Sequence, residues 1–439
     1  MSGFFKIIVL IFVVVGVGVI NNVTSGLQVN HDRANEYDGT KPNTFFQPAP
    51  DNAADYDPNG IYPDGRQFLV TLYSVSNPDL VNLKKDGFTA MGPSNGDARL
   101  DIAQFLGLKF LYRIRMAPND WGENWENMPH DHDIIAEINA QVNAVKDRDT
   151  IFLWYLMPEE LNFKRTREMH YLEVASQAIR AADPRSRPIW MYEPNHRTAD
   201  ALAQTLICQN ICGKGMYVNY TNHQDERIWC RWTIEQEKKA IALANPDAIP
   251  IAVPEMFQDP PDPNDDALIN SWCRHDVFCA LVAGAKGVVI FSGSRRPRFK
   301  RTFDIYYQAY ASVARQLNGP LNLGQVLLFG RKHNDIHVAI NYGPSAVSSN
   351  RPDYYIANSI NFLNLADTTG GRYLLMVNSA NEAVGVTVSG LPATGVLQRD
   401  VFSSQEWVTA QGGSFNVDFA PLAVKCFRII PPPPTPGEK

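Results

Sequence analysis

The stretch Ile151-Phe-Leu-Trp-Tyr-Leu-Met-Pro-Glu-Glu160 carries the main argument for the fold. The unbroken apolar run 151–157 is short for a helix and lacks the polar alternation of a strand wetted on one face. It fits a strand buried on both sides, as in a parallel sheet covered by helices. Runs of the same kind lie at 68–75, 88–91, 109–116, 188–193, 215–219, 249–255 and 286–292. Between them apolar residues recur at helical spacing, as in Ile134, Ile135, Ile138, Val142 and Val145, or Leu172, Val174, Ala175, Ala178 and Ile179. The stretches 267–285 and 303–317 are also helical in pattern, whereas the first helix, near Asp79 to Lys85, is short. Eight strands, each followed by a helix, predict an α/β fold of the closed (β/α)8, or TIM-barrel, type over residues 67–320. A doubly wound open sheet is the rival, but no Gly-rich phosphate loop follows an early strand.

The pattern changes from residue 321. Short alternating runs at 326–329, 336–341, 373–378, 384–388, 395–400, 407–408, 415–417 and 423–429 are separated by turn residues, with no long helical segment. They predict a C-terminal antiparallel β-sandwich over 321–430. A Pro-rich tail, 431–439, closes the chain. At the other end, Lys6 precedes the apolar run Ile7 to Ile20 and polar Asn21 and Asn22. That is the form of a signal peptide, assigned to residues 1–25, with an uncleaved anchor as the other reading. Residues 26–66, rich in Asn, Asp, Pro and Gly, read as an irregular arm. The expectation is a secreted protein with no membrane association once the signal is removed.

With 40 Lys and Arg against 46 Asp and Glu, the chain lacks the basic footprint of nucleic-acid binding. An even count of 6 cysteines in an exported chain permits disulfides, with connectivity unreadable. Asn219-Tyr220-Thr221 is a formal glycosylation sequon, as is Asn22-Val23-Thr24. The pair His130 and His132 flanks Asp131, a spacing more often solvated than metal-binding.

In a parallel barrel the active site lies at the C-terminal ends of the strands. Strand four ends in Met157-Pro158-Glu159-Glu160, strand five in Tyr192-Glu193-Pro194-Asn195 and strand seven in Pro254-Glu255-Met256. Unpaired buried carboxylates are costly, so packing alone does not place three glutamates there. Glycoside hydrolysis needs two carboxylates flanking one bond, one giving a proton to the leaving oxygen and the other attacking carbon or activating water. Strands four and seven stand on opposite sides of an eight-stranded barrel, so Glu159 and Glu255 would face each other across its mouth. Either Glu159 or Glu160 could instead cap a following helix. Glu193 reads equally as a substrate-binding group or as the ion-pair partner of Arg197.

Trp154-Tyr155-Leu156-Met157-Pro158-Glu159 and Ile251-Ala252-Val253-Pro254-Glu255 resemble the strand-four and strand-seven motifs of the clan of retaining (β/α)8 glycosidases that includes cellulases, β-mannanases and β-galactosidases. The resemblance implies Glu159 as acid/base, with Glu160 as the alternative, Glu255 as nucleophile, and no cofactor. The clan's asparagine before the acid/base is Pro158 here, which has no amide to offer a sugar hydroxyl; Asn195 is the candidate replacement. Aromatic residues suited to stacking on sugars follow strand three (Trp121, Trp125) and strand six (Trp229, Trp232), with core packing as the alternative. Tyr217 and Tyr220 are placed to hydrogen-bond the nucleophile. The run Ser294-Arg-Arg-Pro-Arg-Phe-Lys-Arg301 follows strand eight, and Arg295 there suggests an acidic or sulfated carbohydrate substrate. Two other readings remain: a catalytically inactive barrel that binds glycans or serves as an extracellular structural protein, and a metal-dependent hydrolase on the same fold.

Overall fold

The computed structural model describes residues 67–115, 125–221, 226–350, 355–367, 371–391, 397–403 and 407–429. The assigned signal peptide, arm and tail, and Trp121, lie outside them. The fold is mixed α/β. Its N-terminal part alternates strands β1 (Leu69–Leu72), β2 (Ala90–Ser94), β3 (Lys109–Ile114), β4 (Ile151–Leu156), β5 (Ile189–Trp190), β6 (Ile211–Cys212), β7 (Gly215–Met216), β8 (Ile249–Pro250), β9 (Val253–Pro254) and β10 (Gly287–Ile290) with helices. The helices are α1 (Asp97–Phe105), α2 (Asp131–Val145), α3 (Thr166–Ala182), α4 (Ala199–Leu206), α5 (Trp229–Ala244), α6 (Ile269–Ala283), α7 (Phe303–Asn318) and α8 (Leu323–Phe329). The pieces β6 and β7 belong to one interrupted run, as do β8 and β9. The short first helix is a 3-10 turn, Asn77–Asn82.

All the pairings in this part are parallel. β2, β3, β4 and β5 are neighbours in that order. A bridge from Glu193 to Lys214 leads from the β5 run to the β6–β7 run. That run pairs with β8 and β9. Bridges from Ala252 to Val288 and from Glu255 to Phe291 lead on to β10, which pairs with β1. β1 meets β2 through Thr89 N–H donating to Val70 O at 3.0 Å and the Thr71 hydroxyl donating to Ala90 O at 2.8 Å.

The period of two along each strand divides the core. Leu69, Ala90, Leu111, Leu153, Trp190, Ile211, Ile251 and Val289 form one buried cluster to which every run contributes. Phe68, Val70, Phe110, Trp154, Met191 and Val288 belong to another, shared with Ile138, Leu172 and Phe278 of the helices. This is why the runs are apolar throughout: both faces leave water. Helix ends follow the usual chemistry, with Asp131 and Asp133 in the first turn of α2 and Gly284, at φ +119°, closing α6.

The C-terminal part has three antiparallel sheets. Its strands are β11 (Arg331–Lys332), β12 (His337–Tyr342), β13 (Ala346–Ser349), β14 (Tyr355–Asn358), β15 (Ile360–Ala366), β16 (Arg372–Asn378), β17 (Val384–Ser389), β18 (Leu397–Asp400), β19 (Trp407–Thr409), β20 (Ser414–Phe419) and β21 (Val424–Ile429). One sheet runs β11-β15-β16-β21-β18-β19, a second β12-β17-β20, and a third pairs β13 with β14. Between the first two pack Leu374, Met376 and Phe427 from the first and Val386, Phe415 and Phe419 from the second. The opposite face of the first sheet joins the helical core through Leu363, Leu365, Leu375 and Val377.

Two expectations are corrected. Residues 326–329, read as a strand, are the end of α8: Leu323, Val326 and Leu327 recur at helical spacing and are buried. The six cysteines form no disulfide; Cys208, Cys212, Cys230, Cys273, Cys279 and Cys426 are free, buried thiols.

Candidate active site

Glu159 lies three residues beyond β4, in a turn held from several sides. The Tyr171 hydroxyl donates to Met157 O at 2.6 Å, and Glu160 N–H donates to Tyr192 O at 3.1 Å. Arg197 donates to the carbonyls of Glu160 and Leu161. Arg197 is itself fixed by Glu193, whose carboxylate also accepts from Thr205 at 2.6 Å and Gln209 at 3.2 Å. Glu193 therefore takes the ion-pair role that the sequence left open. Burial pushes its pKa up to about 7, against the pull of Arg197. Its part in the site is to position the turn that carries Glu159.

The Glu159 side chain is half-buried, and the hydroxyls of Tyr73 and Tyr155 both donate to its Oε1. Oε2 has no partner among the described residues. Burial and the adjacent Glu159 charge raise the pKa of both phenols, so they remain donors throughout the neutral range. Glu160 is exposed, with its backbone at φ +60°. Desolvation and the neighbouring Glu159 charge raise its pKa.

Glu255 follows β9 directly and is only 4% exposed. Its Oε1 accepts the Asn219 N–H at 2.5 Å and its Oε2 the Tyr220 N–H at 2.9 Å. The sequence pointed to tyrosine hydroxyls here; backbone donors of the loop after β7 do this instead. Burial raises the Glu255 pKa to about 7, opposed by those two donors and by Arg227. The loop is braced by Asn219, whose side-chain oxygen accepts from Arg227 at 2.9 Å and whose amide donates to Tyr306 at 3.1 Å. Arg227 is held in turn by a buried fork onto Asp276. Asn219 is 3% exposed and its amide is engaged, so the sequon at this position presents no accessible acceptor.

An aromatic cluster adjoins both carboxylates. Tyr217 stacks on Tyr192 at 6.2 Å and meets Phe257 at 5.2 Å and Phe291 at 5.8 Å. Phe291 also lies 5.0 Å from Tyr73, the Glu159 donor. The Tyr217 hydroxyl is within electrostatic reach of both Glu159 and Glu255, which with burial drive its pKa well up. It is buried without a hydrogen bond of good geometry, its nearest polar neighbour being the Tyr192 phenol. Tyr220, 57% exposed, sets its ring against Tyr217 and Phe257.

The remaining sequence candidates are placed as follows. Asn195 is half-buried, and its carbonyl accepts from Lys214 at 2.9 Å. Trp125 packs edge-on against Tyr171 at 5.8 Å. Trp229 and Trp232 are buried in α5 rather than in a loop, each 3% exposed. Arg295 forks onto Asp79 at 3.0 Å and reaches Asp304 at 2.9 Å, so its charge is already met. Arg296 is instead half-buried over the Phe257 and Phe291 rings, donating to Ser292 at 3.0 Å. Among the described residues no three His, Cys, Asp or Glu side chains converge as a metal site. Tyr73, Tyr155, Phe257 and Phe291 were not singled out from sequence. Tyr73, Phe257 and Phe291 lie just beyond strands and Tyr155 near the end of β4, and that strand-end position is the signal that marks them.

No protein-family model matches the sequence, and no curated protein resembles it at a significant level. Solved structures do share its fold. One is an α-amylase from Geobacillus thermoleovorans complexed with acarbose, at 10% identity, TM-score 0.50, covering 86% of this chain and 94% of that one. Another is described as a glycoside hydrolase, at 11% identity, TM-score 0.51, covering 85% of this chain and 98% of that one.

Proposed function

We propose that this protein is a secreted glycoside hydrolase whose eight parallel runs close into a (β/α)8 barrel, with Glu159 as acid/base and Glu255 as nucleophile. The observation that carries the reading is the arrangement of Glu159 and Glu255 around one aromatic cluster, both within electrostatic reach of the Tyr217 hydroxyl. The fold shared with an α-amylase and a glycoside hydrolase agrees with a carbohydrate substrate. In the first step ionised Glu255 attacks the anomeric carbon. The glycosidic bond breaks, and Glu159 gives its proton to the departing oxygen. Water then attacks the glycosyl ester, Glu159 takes a proton from it, and Glu255 is released. Tyr73 and Tyr155 hold Oε1 of Glu159, which leaves Oε2 for proton transfer. Each Glu255 oxygen accepts one backbone N–H and keeps a second acceptor site.

One observation favours a second reading, a barrel that binds glycans without cleaving them: Glu255 is buried and both its oxygens are already bonded. Hydrolysis of a panel of aryl glycosides and polysaccharides by the wild type and by Glu255→Ala separates the two. The expected result is loss of activity on the order of 10⁴-fold or more in the variant. Azide, standing in as nucleophile, should restore part of it with a glycosyl azide as product. Full activity in Glu255→Ala sinks the site assignment. Saturable glycan binding with no turnover of any substrate favours the second reading.

A further inference from the structure

A polar cavity of about 360 Å³ opens at the C-terminal ends of β1, β2 and β3. Its lining includes Arg99, Arg113, Ser74, Ser76, Ser94 and Ser294. Both arginines are half-buried, and neither has a carboxylate partner among the described residues. Arg99 donates to Val75 O at 3.3 Å and Arg113 to Pro93 O at 2.9 Å, each through one guanidinium nitrogen. The Arg113 Nε–H is buried with no acceptor. Two guanidinium groups are thus held in place by backbone carbonyls with donors left over. A half-buried cation without a counter-charge is costly unless a ligand supplies one.

Among the described residues, neither Asp79 nor Asp97 supplies it. Asp79, at the rim, is taken by Arg295. Asp97 opens α1 as an exposed side chain beside Tyr112. The hydroxyls favour a ligand that accepts hydrogen bonds: Ser76 Oγ accepts the Arg295 N–H at 3.1 Å, so its own hydrogen remains to donate. The cavity also adjoins the Glu159 side of the proposed site. Ser74 follows Tyr73, which holds Glu159, and the Arg113 charge is felt at the Tyr73 hydroxyl.

We propose that this cavity is a subsite for an oxyanionic substituent of the substrate, the carboxylate of a uronic acid or a sulfate ester, gripped by Arg99 and Arg113. Planar guanidinium forks match both oxyanions, and a rigid pair at the edge of a sugar cleft selects a charged residue next to the one being cleaved. The inference rests on the glycosidase reading for its location, but its binding chemistry can be read separately. It also moves the anion-binding role away from Arg295, which Asp79 and Asp304 neutralise.

The test has two arms. In the first, kcat/KM is measured on uronic-acid oligosaccharides and their carboxyl-reduced counterparts, and on sulfated oligosaccharides and their desulfated counterparts. The wild type should prefer one acidic member of a pair, and which pair identifies the oxyanion. Arg99→Gln and Arg113→Gln should each cut the acidic-to-neutral ratio about tenfold or more, as expected for losing charge-assisted hydrogen bonds. In the second, calorimetric titration with glucuronate, galacturonate and inorganic sulfate is run on the wild type, on both arginine variants and on Glu255→Gln. Binding should persist in Glu255→Gln and weaken in the arginine variants, with melting curves confirming that each is folded. Anion binding lost with the arginines in a protein that hydrolyses nothing overturns the glycosidase reading and keeps the subsite. Hydrolysis with no preference between paired substrates, unchanged in both arginine variants, overturns the subsite and keeps the glycosidase.

Discussion

At the level of single residues, Glu255 combines two demands that pull apart. Burial favours its neutral form, and the proposed role as nucleophile requires the ionised one. Its pKa is raised from 4.5 to about 7. Between those values the folded protein holds a proton that the unfolded chain has released, so stability falls as pH rises through that window. Above pH 7 the ionised form costs about 3 kcal/mol relative to the unfolded chain. Glu193, raised to about 7, and Lys214, lowered to about 7, titrate nearby, so only a difference between variants isolates Glu255. We therefore expect the stability of Glu255→Gln relative to wild type, from urea unfolding, to improve by up to about 3 kcal/mol between pH 4.5 and pH 8. On the same argument kcat/KM of the wild type should rise through an acidic limb centred near pH 7, where the carboxylate forms. A limb centred near 4.5, with a pH-independent difference in stability, would show that Glu255 is not the perturbed group.

At the level of elements, what was legible from sequence and what was not have separate physical causes. The eight apolar runs were readable because burial on both faces removes polar residues from a strand. Helix α8 was misread because the four residues Val326-Leu-Leu-Phe329 are apolar without a period; their partner Leu323 lay outside the span considered. Strand β15 was missed although it is central in its sheet, because Asn361 and Asn364 resemble loop residues. In the structure the Asn361 amide donates to Asn358 O at 2.7 Å and the Asn364 amide to Asp335 at 2.9 Å, while Asn364 Oδ1 is buried without a partner among the described residues. Glu159 and Glu255 stand out in the sequence by their strand-end positions, but the backbone donors to Glu255 do not, since any residue carries an N–H.

The sixth run shows how tightly the elements fit. A Cβ on Gly213 would stand 2.5 Å from Ile251 Cγ1, and one on Gly215 would stand 2.5 Å from the Tyr192 hydroxyl. Gly213→Ala should cost about 1–3 kcal/mol by overpacking and leave KM near its original value, because Ile251 lies in the strand interior. Gly215→Ala should cost a similar amount and also lower kcat/KM, because it displaces Tyr192 and Tyr217 beside the carboxylates. Chemical denaturation and steady-state kinetics read the two effects; identical kinetics in the two variants would mean that the tyrosines do not shape the cleft.

At the level of the whole molecule, the C-terminal sheets are joined to the N-terminal α/β part by more than a linker. A buried chain of hydrogen bonds starts at Asn219, the backbone donor to Glu255, and passes through Arg227 and Asp276 to His275. His275 Nε2 ends it at Ser379 Oγ, 3.0 Å away in the C-terminal part. Around it Leu363, Leu365, Leu375, Val377, Val424 and Cys426 share one apolar cluster with Val277, Phe278 and Leu281 of α6. Uncovering that face forfeits on the order of 10 kcal/mol of burial, comparable with the whole stability of an ordinary domain. A chain ended at Gly330 should therefore fail to give a soluble, cooperatively melting protein, and adding glycan should not rescue it. The subtler variant Ser379→Ala keeps the apolar face and removes the hydroxyl that meets His275 Nε2 and, at 3.8 Å, Cys279 Sγ. It should lower stability by about 1 kcal/mol, the usual net worth of one buried hydrogen bond, with activity retained at low temperature. A soluble truncated chain with wild-type turnover would mean instead that the sheets are an appendage, and that α6 tolerates water on the face that now meets β15 and β16.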